Sequence, residues 1–238
     1  MIDDRDVIGD SALMRLHVEA LFTLDDAGRL WAVNEPSGAA APRFFLGRTA
    51  DGNAWWFRHD VDAGLAAELD ALCGALPAGL EDAPAGAAAA PFIECLSRSA
   101  PARGTWAGPA FRFPLDLPGD EGAVRVTSGS AEVLSPYLEG WRVDADAGVP
   151  MTVAMEGGKA VSVCCSVRLT SRAHEAGVET HPDFRSRGHA ARAVAAWART
   201  VRAMDLVPLY STSWENEPSR AVARRLGLIQ YGVDLHIT

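Results

Sequence analysis

The sequence predicts a mixed fold of the α+β and α/β classes, with helices on a mixed β-sheet in the second half of the chain. After residue 122, short apolar runs typical of strands alternate with amphipathic helical segments in the order β-α-β-β-β-α-β-α-β. Before residue 120, two pairs of short runs flank glycine-containing turns. This pattern indicates β-hairpins in a small α+β domain.

The chain has 238 residues, which suffices for one large domain or two small ones. Its formal net charge of −9 comes from residues 1–120, whereas residues 121–238 are neutral in sum. We therefore expect two domains, 1–120 and 121–238. The acidic balance argues against nucleic acid as a partner, because phosphate binding needs a basic face.

No apolar run reaches the roughly 18 residues of a membrane span, and the acidic start of the chain does not resemble a signal peptide. We expect a cytoplasmic protein without a membrane partner. The four cysteines, Cys73, Cys95, Cys164 and Cys165, lack the Cys-x-x-Cys spacing of zinc and thioredoxin sites. Buried free thiols in a reducing compartment are expected, and no metal.

In the first half, residues 20–24 with 29–33 and 43–47 with 54–57 predict the two hairpins. Leucines at helical spacing predict a helix over 63–76, with Asp62 as its N-cap. The Ala-, Gly- and Pro-rich residues 77–91 predict a loop, and residues 92–99 a short helix. Another Pro- and Gly-rich stretch, 114–122, predicts the domain boundary.

The second half is predicted to hold six strands and three helices. The strands are expected at 124–127, 151–155, 159–169, 176–180, 207–211 and 231–237. A tight turn at 156–158 joins the second strand to the third. The helices are expected from the capping residue Ser130 to Trp141, over 190–204, and over 218–226 with Gly227 as the terminating residue.

Aromatic residues concentrate on the two hairpins. The expected role of these residues is the core of the first domain; the alternative is that some of them wall an acceptor pocket between domains. They are Trp31, Phe44, Phe45, Trp55, Trp56 and Phe57.

The segment most informative about chemistry is the loop between the predicted strand 176–180 and the following long helix. Its pattern Arg185-x-x-Gly188-x-Ala190 places small residues where a backbone can approach a ligand closely. The first N–H groups of the helix lack internal partners and carry partial positive charge, which favours an anion. Arg185 and Arg187 can add charged hydrogen bonds to a phosphate.

This strand–loop–helix pattern resembles motif A of the GCN5-related N-acetyltransferases, whose Gln/Arg-x-x-Gly-x-Gly/Ala loop cradles the pyrophosphate of acetyl-CoA. Downstream, Asn216 begins a predicted helix that ends in Gly227 and Leu228, which looks like motif B of the same family. The strand order agrees as well. The resemblance covers residues 122–238. It implies the fold of the GCN5-related N-acetyltransferases (the GNAT fold) and an acetyl-CoA-dependent acyltransferase. The first domain could be a degenerate copy of this fold.

The resemblance also implies roles for individual residues. Val178, Glu179 and Thr180 match the strand end beside the pantetheine arm. The pyrophosphate loop matches Arg185, Ser186, Arg187, Gly188, His189 and Ala190. Asn216 matches the asparagine that touches the CoA arm. Ser219, which follows it in the same helix, is expected to bind the cofactor as well.

One position departs from the family pattern. The tyrosine that often protonates the leaving thiolate is replaced by Ala223. Another group could do this, with candidates Tyr210, Ser213, Ser219 and Tyr231, or solvent could, or the enzyme could be impaired.

A general base must accept a proton from the acceptor ammonium, and a group with a pKa near 7 is best suited to this. Glu175 and Glu179 lie on or near the strand where the family often places a base. We rank Glu175 first and Glu179 second, with His174 and His181 behind them.

The leading hypothesis is transfer of an acetyl group to the amine of a small molecule by direct attack in a ternary complex. The acidic first half weakly favours a cationic acceptor. The alternatives are a non-catalytic CoA-binding or regulatory protein and an N-terminal peptide or protein acetyltransferase. A homodimer is left open.

Overall fold

The computed structural model describes residues 8–80, 85–119 and 121–238. Within these ranges, no helix combines the length and the apolar character that a membrane crossing requires. The described residues form two compact units.

The two units do not follow a simple division of the sequence. The first unit holds the described residues up to Phe111, together with Ser211–Glu215 and Gln230–Thr238. The second unit holds Arg112–Tyr210 and Asn216–Ile229. The end of the chain thus groups with the N-terminal half, unlike a division at residue 120. The expected domains 1–120 and 121–238 stay a prediction.

Both hairpins of the first unit are confirmed. Strands β1 (Phe22–Leu24) and β2 (Leu30–Val33) pair antiparallel, as do β3 (Phe44–Thr49) and β4 (Gly52–Phe57). The sequence patterns missed helix α1 (Asp10–Leu21), which precedes them. Its N-cap is a glycine that offers no side-chain hydrogen bond, so the usual sequence signal of a helix start is missing.

Helix α2 (Ala63–Gly74) is confirmed, and the Asp62 side chain caps it by accepting a hydrogen bond from the backbone N–H of Leu65 at 3.0 Å. The expected loop over 77–91 is wrong from residue 85 onward, because helix α3 spans Ala85–Ser97. Residues 81–84 of that loop lie outside the described residues. Alanine is the strongest helix former, and burial of residues at three- and four-residue steps stabilises the helix further. Those residues are Ala89, Phe92 and Leu96.

Strands β5 (Thr105–Arg112) and β11 (Ile229–Ile237) complete the sheet of the first unit, whose order is β4-β3-β11-β5. β11 is antiparallel to β3. Helix α1 packs closely on this sheet, because a Cβ on Gly47 would lie 2.4 Å from Met14 Cγ and one on Gly232 would lie 2.3 Å from Met14 Cε. Two glycines on neighbouring strands therefore make the space for Met14.

The aromatic residues of the hairpins have different positions in the first unit. Phe44 and Phe45 are fully buried, as expected of core residues. Trp31 is 53% exposed and its ring lies 4.1 Å from that of His59, so it is not a core residue. Trp55 and Phe57 are partly buried and pack against the core.

A single helix from Ser130 to Trp141 is wrong. The structure has a 3-10 helix at Ser128–Leu134, a second at Glu139–Trp141, and then the short helix α4 (Arg142–Asp146). Thr127 is the capping residue of the first, in a reciprocal capping box with Ser130. Pro136 interrupts the segment, because proline has no N–H to donate and restricts the residue before it.

The second unit is built on five strands in the order β10-β9-β8-β7-β6. β9 and β10 are parallel, and the other neighbouring pairs are antiparallel, so the sheet is mixed. The strands are β6 (Ala123–Val126), β7 (Met151–Glu156), β8 (Lys159–Leu169), β9 (Ala173–Thr180) and β10 (Val207–Ser211). All five were expected, and β9 begins three residues before its predicted start.

Helices cover both faces of this sheet. Helix α5 (His189–Arg202) lies on one face, where Thr152 Oγ1 donates to the Ala193 carbonyl at 2.7 Å. The segment 128–146 packs on the other face around Leu134, Leu138 and neighbouring strand residues. Helix α6 (Glu217–Leu226) ends at Gly227, whose φ of +64° is the left-handed conformation expected of a terminating glycine.

Residues 114–119, in the Pro- and Gly-rich stretch predicted to be the domain boundary, form neither helix nor strand, and residue 120 lies outside the described residues. Arginines of α5 hold this segment. Arg199 donates to the carbonyls of Leu117 and Pro118, and Arg202 donates to those of Phe113, Pro114 and Leu115.

We expect Gly177→Ala to lower the free energy of unfolding by about 1–3 kcal/mol, because overpacking a close contact costs this much. A Cβ on Gly177 would lie 2.2 Å from Val167 Cγ1. Urea unfolding of Gly177→Ala and of Gly177→Ala/Val167→Ala measures the effect, and the second change should recover part of the loss. Gly140→Ala is the control, since nothing lies within 4 Å of a Cβ there. Equal stability of Gly177→Ala and the unsubstituted protein would contradict this packing.

Candidate functional site

Strands β9 and β10 separate after a short parallel contact. Ala173, His174 and Glu175 pair with Val207, Pro208 and Leu209 respectively. Residues 176–180 of β9 continue to pair with β8 but, in the described part of the chain, not with β10. The far half of β9, including Val178, Glu179 and Thr180, therefore presents an edge whose N–H and C=O groups can bind an extended ligand.

Alternate residues of β9 face opposite sides of the sheet. His174 faces α5, because its Nδ1 lies 3.0 Å from Ser166 Oγ, which accepts a hydrogen bond from Trp197 of that helix. Val178 and Thr180 share this face with it by strand alternation. Glu175 and Glu179 share the other face, on which segment 128–146 packs.

The two candidate bases occupy different environments on their common face. The Glu175 residue is 4% exposed, in a parallel pair with Leu209. Glu179 is exposed, and its Oε2 accepts a hydrogen bond from Trp141 Nε1 at 2.6 Å. Four residues of strand place the Cα atoms of the two glutamates about 13 Å apart, so the two side chains start from different positions along β9.

Neither candidate histidine places its ring beside the Glu175 carboxylate: the His174 ring lies on the opposite face of β9, and the His181 ring lies in the loop after the strand. Burial lowers the pKa of His174 below its ordinary value, and this ring is part of the packed layer under α5. The His181 ring packs on Tyr137 with 4.4 Å between ring centres, and its Nδ1 lies 3.9 Å from Asp183 Oδ2.

The loop after β9 adopts two left-handed backbone conformations. A 3-10 turn at Pro182–Phe184 is followed by Ser186 with a φ of +62° and Gly188 with a φ of +85°. Gly188 is the N-cap residue of α5, with no side chain to occupy the helix end. The first turn of α5 carries no acidic residue, so its N–H groups and partial positive charge remain available to an anion.

The carboxylate of Glu156, which the sequence patterns missed, connects the β7–β8 turn to this loop. Arg187 Nη1 donates to Glu156 Oε1 at 2.8 Å, and Arg187 Nη2 donates to the Asp183 carbonyl at 2.9 Å. His189 is buried, with its Nε2 2.5 Å from Glu156 Oε2 and its Nδ1 against Arg192. The His189 side chain is therefore engaged, and its backbone N–H is the group it can offer a ligand.

Arg185 and Arg225 also lie near the loop. Arg185 Nε donates to the Thr180 carbonyl at 3.2 Å, which ties the loop to the end of β9. Arg225 of α6 approaches the loop so closely that a Cβ on Gly188 would lie 2.8 Å from its Nη2. No sequence signal distinguishes Arg225 from the neighbouring Arg224.

The start of α6 brings together three of the residues singled out in the sequence. Asn216 caps the helix, because its Oδ1 accepts from the Ser219 backbone N–H at 3.2 Å. The Ser219 and Tyr210 hydroxyls are 2.6 Å apart. Burial raises the pKa of the Tyr210 phenol, the hydrogen bond with Ser219 opposes this, and Cys164 and Glu175 raise the pKa further.

The remaining acid candidates, Ser213 and Tyr231, belong to the first unit. Ala223, at the position of the family tyrosine, is a buried residue of α6.

A family model for GNAT acetyltransferases matches residues 148–232. Over this segment, about a third of its length, the chain is similar to GNAT acetyltransferases. The match spans the β7–β8 turn, the open edge of β9, the glycine loop and both helices α5 and α6. The GNAT fold expected from the two motifs is thereby confirmed for this part of the chain.

Solved structures of GNAT proteins resemble the chain over larger parts of it. A GNAT-family protein from Novosphingobium aromaticivorans is 16% identical over 57% of this chain and 65% of that one, with a TM-score of 0.46. The alignment spans less than two thirds of that protein. No curated protein sequence matches this chain.

Two further structures align over most of both chains. A GCN5-related N-acetyltransferase-like protein from Streptococcus suis is 17% identical over 83% of this chain and 85% of that one, with a TM-score of 0.46. A GCN5-related N-acetyltransferase from Sphaerobacter thermophilus is 16% identical over 87% and 78%, with a TM-score of 0.44.

We expect acid to destabilise the folded protein through His174. Burial lowers the pKa of His174 from 6.5, so below that pH the unfolded chain binds a proton that the folded chain does not. The contribution of neutral, buried His174 to the free energy of unfolding is therefore complete above pH 6.5 and is lost as the pH falls toward and through the lowered pKa. Urea midpoints of the unsubstituted protein and His174→Gln between about pH 7.5 and pH 5.5 measure it, and the variant should show the smaller decrease. Parallel decreases would assign the pH dependence to other groups.

Proposed function

We propose that the chain is an acetyl-CoA-dependent N-acetyltransferase that acetylates the amine of a small molecule. The proposal is based on three features that follow one another along the chain, within the segment that the family model matches. They are the open edge of β9, the loop with left-handed Ser186 and Gly188, and the uncapped N-terminus of α5. An extended chain beside a strand, joined to a diphosphate, fits this succession of binding groups.

Acetyl-CoA supplies the acetyl group as an activated thioester. Residues 178–180 of β9 would hold the pantetheine arm along the strand edge, and the backbone N–H groups from Ser186 to Ala190 would bind the diphosphate. Asn216, whose side chain caps α6, and Ser219 border the same ligand. This arrangement would place the thioester near the region where β9 leaves β10.

In the proposed reaction, the acceptor nitrogen attacks the thioester carbonyl, a C–N bond forms and the C–S bond breaks. A proton must leave the acceptor ammonium before or during attack. Glu175 remains our first candidate to accept it, because it lies at the last residue pair before β9 separates from β10. Glu179, held by Trp141, is the second candidate.

The leaving thiolate must gain a proton. Ala223 carries no proton donor, so we propose Tyr210 and Ser219, whose hydroxyls are hydrogen bonded to each other, as the group that supplies it. Tyr210 is protonated at neutral pH, as an ordinary phenol is, and burial raises its pKa further. Solvent is the alternative donor.

A non-catalytic CoA-binding protein is the second candidate function, favoured by Ala223 at the position of the family tyrosine. An N-terminal peptide or protein acetyltransferase is the third, and it requires an open acceptor groove. We place the protein in the cytoplasm, since Cys73, Cys95, Cys164 and Cys165 are all free and buried, as suits a reducing compartment.

Acetyl-CoA should stabilise the protein against thermal unfolding, because a ligand that binds only the folded state shifts the equilibrium toward it. A ligand concentration of about 100 times Kd should add roughly 2.7 kcal/mol. Differential scanning calorimetry with and without acetyl-CoA measures this, with adenosine as the control ligand that lacks the diphosphate. An unchanged melting temperature at millimolar acetyl-CoA would remove the proposal.

Glu175→Gln should lower kcat by about 10²–10⁴-fold with little change in acetyl-CoA affinity, as loss of a general base does. A panel of small cationic amines, assayed by release of free CoA thiol, supplies the acceptor. Glu179→Gln is the matched comparison on the same face of β9. Full activity of Glu175→Gln with loss of activity in Glu179→Gln would reverse their ranking. Absence of turnover with every amine, despite acetyl-CoA binding, would favour the non-catalytic alternative.

A further inference from the structure

The arginines around Gly188 differ in how far their charge is already neutralised. Arg187 has its two terminal nitrogens on the Glu156 carboxylate and the Asp183 carbonyl. The carboxylate of Glu156 also lies against His189, so one negative charge is shared by two basic groups at the start of α5. An incoming phosphate would have to compete with Glu156 for Arg187.

Arg225 is in a different situation. Its neighbour Arg224 is paired with Glu217 of the same helix, but no described residue forms an ion pair with Arg225. Its side chain is exposed. A Cβ on Gly188 would lie 2.8 Å from Arg225 Nη2 and 2.9 Å from its Cζ, so the guanidinium stands against the backbone of Gly188 itself.

Two positive groups lie close together at the start of α5. The guanidinium of Arg225 approaches the N-terminus of α5, which carries about half a positive charge. The first turn of α5 contains no acidic residue to offset the repulsion. Two positive groups at this distance are stabilised together when an anion lies against both, and a guanidinium and backbone N–H groups are both strong phosphate donors.

We propose that Arg225, rather than Arg187, is the arginine that binds the diphosphate of CoA, and that Glu156 keeps Arg187 as a structural tie between the β7–β8 turn and the loop. The inference rests on the proposed function, since it takes the loop as the CoA site. Gly188 then has two roles: its positive φ forms the loop, and its missing side chain leaves room for the Arg225 guanidinium.

Isothermal titration of CoA, dephospho-CoA and S-acetyl-pantetheine into the full chain tests this. Arg225→Ala should weaken CoA and dephospho-CoA equally, by roughly 10- to 100-fold, the effect of losing a hydrogen bond to a charged group. S-acetyl-pantetheine has no diphosphate, so its affinity should not change. Dependence of CoA affinity on salt should also become weaker in Arg225→Ala.

Two matched variants serve as controls. Arg224→Ala removes a neighbouring charge of the same helix that is already paired, and Arg187→Ala removes the arginine tied to Glu156. Arg224→Ala should change CoA affinity by less than about threefold, well under one decade. Arg187→Ala should weaken CoA less than Arg225→Ala does, because it loosens the tie between Glu156 and the loop but removes no proposed contact of its side chain with the diphosphate. Circular dichroism shows that each variant remains folded.

The outcomes separate the two proposals. If the unsubstituted protein binds no CoA, the proposed function fails. If it binds CoA and Arg225→Ala binds with the same affinity, or if Arg187→Ala causes the larger loss, the assignment of Arg225 is wrong while the proposed function stands. If Arg225→Ala weakens CoA but leaves dephospho-CoA unchanged, Arg225 contacts the 3′-phosphate and the diphosphate assignment is wrong.

Discussion

The early end of the pairing between β9 and β10 is the constraint on which the site depends. Because the two strands share only three residue pairs, the far half of β9 keeps one unpaired edge and leads directly into the glycine loop. Helix α5 then returns over the same sheet, fixed by the Thr152 and Trp197 hydrogen bonds. Its N-terminus must therefore lie at the carboxyl end of β9, where ligands of sheets with parallel strands bind.

Local periodicity was sufficient to predict the strands of the second unit and helices α2, α5 and α6. Local sequence patterns gave wrong predictions where the composition of a segment favours one structure and tertiary packing stabilises another. Helix α1 begins without a capping side chain, and the Pro- and Ala-rich start of α3 has the composition of a loop. In the opposite direction, Ser130 was expected to cap a single helix that runs to Trp141, but Pro136 interrupts this segment and the chain forms two 3-10 helices instead.

Some residues of the candidate site could likewise be predicted from local sequence, and others could not. Residues 178–180 and 185–190 could be predicted as a ligand site because strand end, loop and helix start are contiguous and their spacing is characteristic. Trp141, Glu156 and Arg225 could not, since each reaches the site from an element distant in sequence. An exposed arginine on an amphipathic helix looks the same whether it is paired, as Arg224 is, or placed against a loop. Only the packing of α6 beside Gly188 separates the two cases.

The net charge of a segment is a poor predictor of the ligand that the segment binds. The residues from 121 onward are neutral in total, which suggests no preference for an anion. Yet within them Glu217 neutralises Arg224 and Glu156 neutralises Arg187, while Arg225 and the N-terminus of α5 remain as adjacent positive groups. Electrostatic attraction falls off over about 10 Å at moderate salt, so a phosphate responds to this local arrangement and not to the total. In the proposed site, the pairing of each arginine therefore sets where a diphosphate is expected to bind, and the left-handed Gly188 leaves room for the Arg225 guanidinium beside it.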